Sequence, residues 1–400
     1  MRLLAILFAC LVASYAGVEL WVVPSTATPD SVWCRNWLCR TDVETAHEYQ
    51  EYFQATVQQA PKTVAGFAEI LRRDPASAFR WCDLAEALVE SGQIQPGRYG
   101  IGRAVTLAPH SALILLRAVN FFFRIDDVSG AIGFSREILS QIPDYDAIIF
   151  SSYDRFELPV NLVIHDGLPA ERRPARSYLL HLFASERVAD AEQVWSWVAA
   201  HGFADDQLAG AYASFLLRNK AYTEASHSWT DYLGARRGDY PALNRIFNGD
   251  FEMLPTGSPL DWQIGRVEGA QIARDSSGHH SGQYSLHIQF AGTSNVALSQ
   301  VSQVAVVTPG SHRLEYFIKT DGITTNEGVR LRVFDPENSA LLDVLTDPLV
   351  GTSDWRREEK TFFVGPKTHL VQVQIVRLPS QKFDNKIAGS AWIDSVKLSP

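Results

Sequence analysis

Leu370–Arg377 reads LVQVQIVR, with apolar and polar side chains alternating from Val371 to Ile375. A period of two puts successive side chains on opposite sides of an extended chain, so this stretch predicts a strand with one face buried and one open. The same period runs through 284–290 (YSLHIQF), 312–319 (HRLEYFIK), 328–334 (GVRLRVF) and 355–364. Many of these runs are bounded by Gly, Pro, Asp or Asn, and all lie after Tyr240-Pro241. That succession of short strands predicts an antiparallel β-sandwich of the jelly-roll kind. Alternation assigns Leu286, Ile288, Leu314, Tyr316, Ile318, Leu331, Val333, Val371, Val373 and Ile375 to its interior. The opposite parity, His287, Gln289, Glu315, Phe317, Lys319, Arg330, Arg332, Phe334, Gln372 and Gln374, is left facing outward.

Upstream the period changes. Pro75, Pro109 and Pro143 are 34 residues apart, and Tyr178/Tyr212, Leu182/Leu216, Ala191/Ala225, Trp195/Trp229 and Val198/Tyr232 share that offset. Within one period Trp81, Leu84, Ala85 and Leu88 fit the apolar seam of a first helix, Gly92 a turn, and Ala104 a second helix. Leu115, Ala118, Val119, Phe122, Ala131 and Ile138 repeat the pattern. This arrangement resembles tetratricopeptide repeats over about residues 60–236, with an interruption near 144–173. The resemblance implies an α-helical solenoid with a protein-binding surface; a solenoid serving only as a spacer is the alternative. Gly97, Gly100 and Gly102 have no strand before them, so they read as close helix packing and not as a phosphate loop.

Residues 3–18 carry no charge and follow Arg2. Such a run predicts a signal peptide or membrane anchor over 1–23, a stalk and lead-in helix over 24–59, TPR-like repeats over 60–242 and the sandwich over 243–400. As a helix, 3–23 would span ~31 Å, about one hydrocarbon core. The expectation is an extracytoplasmic protein, single-pass membrane-anchored or secreted after cleavage, which touches the membrane through this segment only. Cys34 and Cys39 form either a disulfide loop in an oxidising compartment or two free thiols; Cys10 and Cys82 stand alone. The 400 residues carry 36 Lys and Arg against 45 Asp and Glu, a net charge of −9 without a basic cluster, which excludes nucleic acid as a partner.

A second resemblance rests on Asn248-Gly249-Asp250-Phe251-Glu252, Trp262, His280-Ser281-Gly282 with Ser285-Leu286, Trp355, and Ala391-Trp392-Ile393-Asp394-Ser395-Val396. These look like the landmarks of jelly-roll, galactose-binding-like carbohydrate-binding modules of the xylan- and cellulose-binding kind. Joined to helical repeats, and with the distinctive segment 382–389 (KFDNKIAG), the whole resembles bacterial envelope proteins. The resemblance implies a structural calcium held by Glu252 and Asp394, although Ser395 stands where such modules often have a second Asp. It implies a polysaccharide or glycoconjugate as ligand, another envelope protein as partner of the repeats, and a place in exopolysaccharide or envelope assembly. The outward parity nominates Phe317, Arg332 and Gln374, with Arg330, Gln372 and His287, as the carbohydrate-binding set.

No catalytic residue is predicted. His47-Glu48 lacks the second His of a zinc helix, His279-His280 lies in loop composition, and Glu358 and Glu359 point to opposite sides of a strand. A jelly-roll polysaccharide lyase is the enzymatic alternative, but its tyrosine candidate, Tyr316, falls on the buried parity. The reading is a non-enzymatic adaptor that needs no cofactor other than a possible structural calcium. A protein-interaction scaffold without sugar binding is the alternative.

Overall fold

The computed structural model describes residues 63–400. Its helices are α1 (Val64–Arg73), α2 (Ala78–Glu90), α3 (Ile94–Leu107), α4 (Ala112–Arg124), α5 (Val128–Gln141), α6 (Asp146–Arg155), the single turn α7 (Val160–Leu162), α8 (Arg172–Ala184), α9 (Val188–Ala200), α10 (Asp206–Arg218) and α11 (Tyr222–Leu233). Starts at Ala78, Ala112 and Asp146, and at Arg172 and Asp206, keep the 34-residue spacing; the short α7 and the π-helix Val163–Gly167 mark the interruption.

The turns explain the register. Gly92, Asp126, Glu186 and Lys220 take left-handed backbone after a first helix. The next N–H then reaches five residues back: Gln93 to the Leu88 carbonyl, Asp127 to Phe122, Arg187 to Leu182 and Ala221 to Leu216, at 2.8 to 3.1 Å. This C-cap satisfies the end carbonyls and sends the second helix back along the first.

The described chain divides at Ser135/Arg136 into two compact units. In the first, Cys82, Ala85, Ile101, Ala104, Ile114, Ala118 and Phe121 form the core. A Cβ on Gly97 would lie 3.0 Å from Val89 and one on Gly100 would lie 3.1 Å from Ala85, which is helix packing as expected; Gly102 faces open space. Burial pushes the Cys82 thiol up to about 12, so it is an inert core residue.

The second unit holds the later helices and the sandwich. One sheet has the order β1 (Gln263–Ile264), β4 (Leu298–Val306), β9 (Leu370–Arg377), β6 (Arg330–Phe334), β7 (Asp343–Leu345). The other has the order β2 (Ala270–Asp275), β3 (Ser285–Ala291), β10 (Ala388–Ser399), β5 (Gly310–Ile323), β8 (Gly351–Val364). All ten residues assigned to the interior by alternation are buried there. Trp262 is buried too, stacks on Phe251 and donates its indole N–H to the Asn248 carbonyl at 3.0 Å. Helix α11 joins the sandwich directly. Trp229 meets Phe247 edge-on, and the Phe247 N–H and carbonyl are both bonded by the buried Gln303 amide of β4.

The expected single-pass membrane anchor is corrected. Among the described residues no helix is long and apolar enough to cross a membrane. They run to 14 residues at most, against the ~20 a bilayer core requires. Residues 1–23, on which that localisation rested, and the Cys34/Cys39 pair lie outside the described residues.

Candidate functional site

Register lines up one row of outward side chains across all five strands of the β1-β4-β9-β6-β7 sheet: Gln263, Ser302, Gln374, Arg332 and Leu345. Neighbouring strands are ~4.8 Å apart, so the row is about 19 Å long. A second row beside it runs Val304, Gln372, Phe334, Asp343, and Arg330 sits one step beyond Arg332 on the same parity. Four of the six nominated residues, Arg330, Arg332, Gln372 and Gln374, therefore share one face.

Each cation on this face is already matched. Arg332 forks onto Asp343, Nε to Oδ1 at 2.7 Å and Nη2 to Oδ2 at 2.6 Å, and lies over the Phe334 ring at 4.4 Å. That pairing holds the Asp343 carboxyl below the usual carboxylate range and raises the Arg332 guanidinium. Arg330 pairs with Glu327. The Gln374 amide is fixed through Nε2 to the Ser299 carbonyl at 2.7 Å, leaving its oxygen as an acceptor. The face thus offers planar donors and acceptors, held in place and without net charge.

Phe317 and His287 do not join them, because β5 and β3 belong to the other sheet. The expectation that Phe317, Arg332 and Gln374 form one surface is therefore corrected: they lie on opposite outsides of the sandwich. Phe317 is covered by the His280 ring, with centroids 3.5 Å apart. His287 stacks flat on Trp392 at 4.6 Å, and Trp392 Nε1 donates to Asp275 Oδ2 at 3.3 Å. Burial holds the His287 imidazole below its ordinary range, with the Asp275 carboxylate pulling the other way. These rings bind one another and the loop 276–282.

Glu252 and Asp394 are brought to the same end of the sandwich, since segment 244–249 runs along β10: Arg245 N–H donates to the Leu398 carbonyl and Val396 N–H to the Gly249 carbonyl, both at 2.8 Å. Three of their four carboxylate oxygens accept hydrogen bonds, however. Asp394 Oδ2 accepts from His280 and Ser281 at 2.7 and 2.9 Å, and Oδ1 accepts from the Ser395 N–H and hydroxyl at 2.6 and 3.2 Å. Four donors fill the four lone-pair sites of this carboxylate. Glu252 Oε1 accepts from Gln283 and Tyr284 at 2.7 and 2.9 Å. Asp250 nearby is pushed up chiefly by its own burial. Among the described residues no three acidic, His or Cys groups could hold a metal together. The pair fits a latch on loop 280–284 and not a calcium cage, which would need six or more free oxygens. Chelation with EDTA is accordingly expected to leave the melting temperature unchanged, whereas Asp394→Ala should cost about 2–3 kcal/mol by removing the charged acceptor of the hydrogen bonds from His280, Ser281 and Ser395. A chelator-induced drop in the wild type would reverse that assignment.

Three side chains escaped sequence reasoning. Trp392 and His280 were visible only as landmarks. Arg377 carried a signal that was missed: it continues the 371, 373, 375 parity, so a charged residue was due in the interior, and it is indeed buried.

No protein-family model matches the chain, and no curated protein matches it. Solved structures similar to the C-terminal part include a family 61 carbohydrate-binding module in complex with β-1,4-galactotriose, at 18% identity, covering 39% of this chain and 97% of that one, with a TM-score of 0.27. The xylan-binding domain from Paenibacillus barcinonensis is similar at 10% identity over 38% of this chain and 90% of its own, TM-score 0.25. The enzymatically active domain of a bacteriophage CBA120 tailspike is similar at 15% identity over 39% of this chain and 21% of its own, TM-score 0.29. Those ligands and activities belong to those proteins.

Proposed function

We propose that the sandwich binds a neutral polysaccharide along the row Gln263, Ser302, Gln374, Arg332, and that the chain is a non-enzymatic adaptor whose TPR-like helical pairs carry a protein partner. Exopolysaccharide assembly is the setting that the two sequence resemblances imply. The observation that supports the reading best is the fixed, charge-matched row of amide and guanidinium groups beside Phe334. Sugars present hydroxyls at their edges and C–H groups on their faces, which such a surface can meet with hydrogen bonds and one aromatic contact. Because Arg332 and Arg330 are already paired, an acidic sugar would have to compete with Asp343 and Glu327. Tyr316 supports binding over lyase chemistry: it is buried, shares a hydrogen bond with Thr346, and burial pushes its hydroxyl up to about 12.

The test is retention of the full chain in native gels containing xylan, β-1,4-galactan or polygalacturonate. Arg332→Ala with Gln374→Ala should weaken retention on a neutral glycan at least about tenfold, the worth of one to two lost hydrogen bonds. Phe317→Ala should leave it unchanged. Retention should also be flat from about pH 5 to 9 and insensitive to salt, since a lowered Asp343 and a raised Arg332 both keep their charge throughout. Retention lost on Phe317→Ala, or one that follows a histidine titration, would move the site to the other sheet. No retention on any glycan would reject sugar binding in favour of a protein scaffold.

A further inference from the structure

The segment KFDNKIAG is not explained by the face just described. Its residues 382–387 lie in the loop between β9 and β10, which begins where β9 ends at Arg377, and its last two open β10. β9 runs antiparallel to both β4 and β6, so the end of β9 and the starts of β4 and β6 lie together. Arg330, the first residue of β6, pairs with Val376 there, so the loop rises from the Arg330 end of the proposed glycan face.

Its base is built to be rigid. The buried Arg377 donates through Nη1 to Asn295 Oδ1 and the Val296 carbonyl, both at 2.6 Å, through Nε to the Glu327 carbonyl at 3.2 Å, and through Nη2 to Thr325 Oγ1 and the Asn385 carbonyl at 3.2 and 3.4 Å. Three loops are thereby tied to one side chain. Ser380 adds a reciprocal pair, its N–H donating to Asn295 Oδ1 at 3.0 Å and its carbonyl accepting from Asn295 Nδ2 at 2.9 Å. At the far end Ile387 is buried and donates its N–H to the Ser294 carbonyl at 3.1 Å.

Between these anchors Phe383 stands wholly in solvent, at 105% relative exposure. Gln381, Lys382, Asp384 and Lys386 around it are exposed as well. A phenyl ring in water forgoes the free energy of burial, and a loop pinned at both ends presents it with little ordering left to lose on binding. Anchor rings for protein partners sit in an apolar patch with a polar rim. Here the adjacent residues on both sides are charged, which matches a ligand whose apolar patches are single sugar faces among hydroxyls.

We infer that loop 378–387 is an aromatic extension of the glycan face: Phe383 stacks on the C–H face of a pyranose ring while Lys382 and Asp384 reach its hydroxyls. This rests on the sandwich being a glycan binder. The full chain is compared with Phe383→Ala, Phe383→Leu and Phe383→Trp in the same xylan and β-1,4-galactan gels, with melting temperatures measured alongside. Phe383→Ala and Phe383→Leu should weaken retention about tenfold and Phe383→Trp should keep or strengthen it, all with unchanged melting temperature. Wild-type retention by the Ala and Leu variants, with loss in the Arg332/Gln374 variant, would overturn the extension and leave the face standing. Rescue by Leu as well as Trp would point to a protein-type apolar anchor and also overturn it. Failure of the wild type on every glycan would remove both readings.

Discussion

Trp229→Ala is expected to lower the stability of the second unit by about 3–5 kcal/mol, the range for emptying a buried aromatic site. At roughly 2–4 °C per kcal/mol for a body of this size, the melting temperature falls on the order of 10 °C. Trp229 is 1% exposed in α11, lies 5.7 Å from the Tyr232 ring and meets Phe247 at 6.0 Å, so one indole packs a helical pair against the segment that leads into β1. Its indole N–H has no hydrogen-bond partner. Trp229→Phe should therefore recover most of the loss, because only ring volume is at stake. Trp195, its equivalent 34 residues earlier, stacks on Tyr212 at 4.7 Å and should behave similarly on alanine substitution. Thermal denaturation followed by circular dichroism reads all three; a neutral Trp229→Ala would mean that the 34-residue register does not describe the packing.

Gly249→Ala is the second large effect expected. A Cβ there would lie 2.0 Å from the Val396 carbonyl oxygen, which is main chain and cannot swing away. Segment 244–249 must then separate from β10, straining the bonds between Arg245 and Leu398 and between Gly249 and Val396, together with the Asn244 side chain that accepts from Leu398 at 3.0 Å. Overpacking of this kind costs about 1–3 kcal/mol, and with the pairing at risk a loss of roughly 3 kcal/mol or more is expected. The landmarks at 248–252 and 391–396 identified in the sequence meet at this contact. A variant with wild-type stability would show that they do not press together there.

Local patterning settled a good deal of this molecule. Alternation in 284–290, 312–319, 328–334 and 370–377 separated the assigned interior and exterior side chains correctly, because the pleat turns sequence parity into sidedness; Ser285, Leu370 and Val376 are buried on the outward parity. The offset of 34 marked the helix starts, because each pair closes with the same left-handed cap. Sheet membership was beyond such patterning. β5 and β6 follow one another in the chain, yet they pair with β10 and β8 in one case and β9 and β7 in the other. Parity is a property of neighbours along the chain, whereas the choice of sheet is made by pairing partners that lie 13 to 77 residues from Arg332 and Phe317, so these two could be known to face outward but not to face apart. The same holds for Asp394 and Glu252: their acidity is local, but apart from the neighbouring Ser395 the N–H groups that engage them come from residues 280–284, more than 100 residues from one and about 30 from the other. Only the folded chain decides whether an oxygen is left free for a cation or is filled by the backbone.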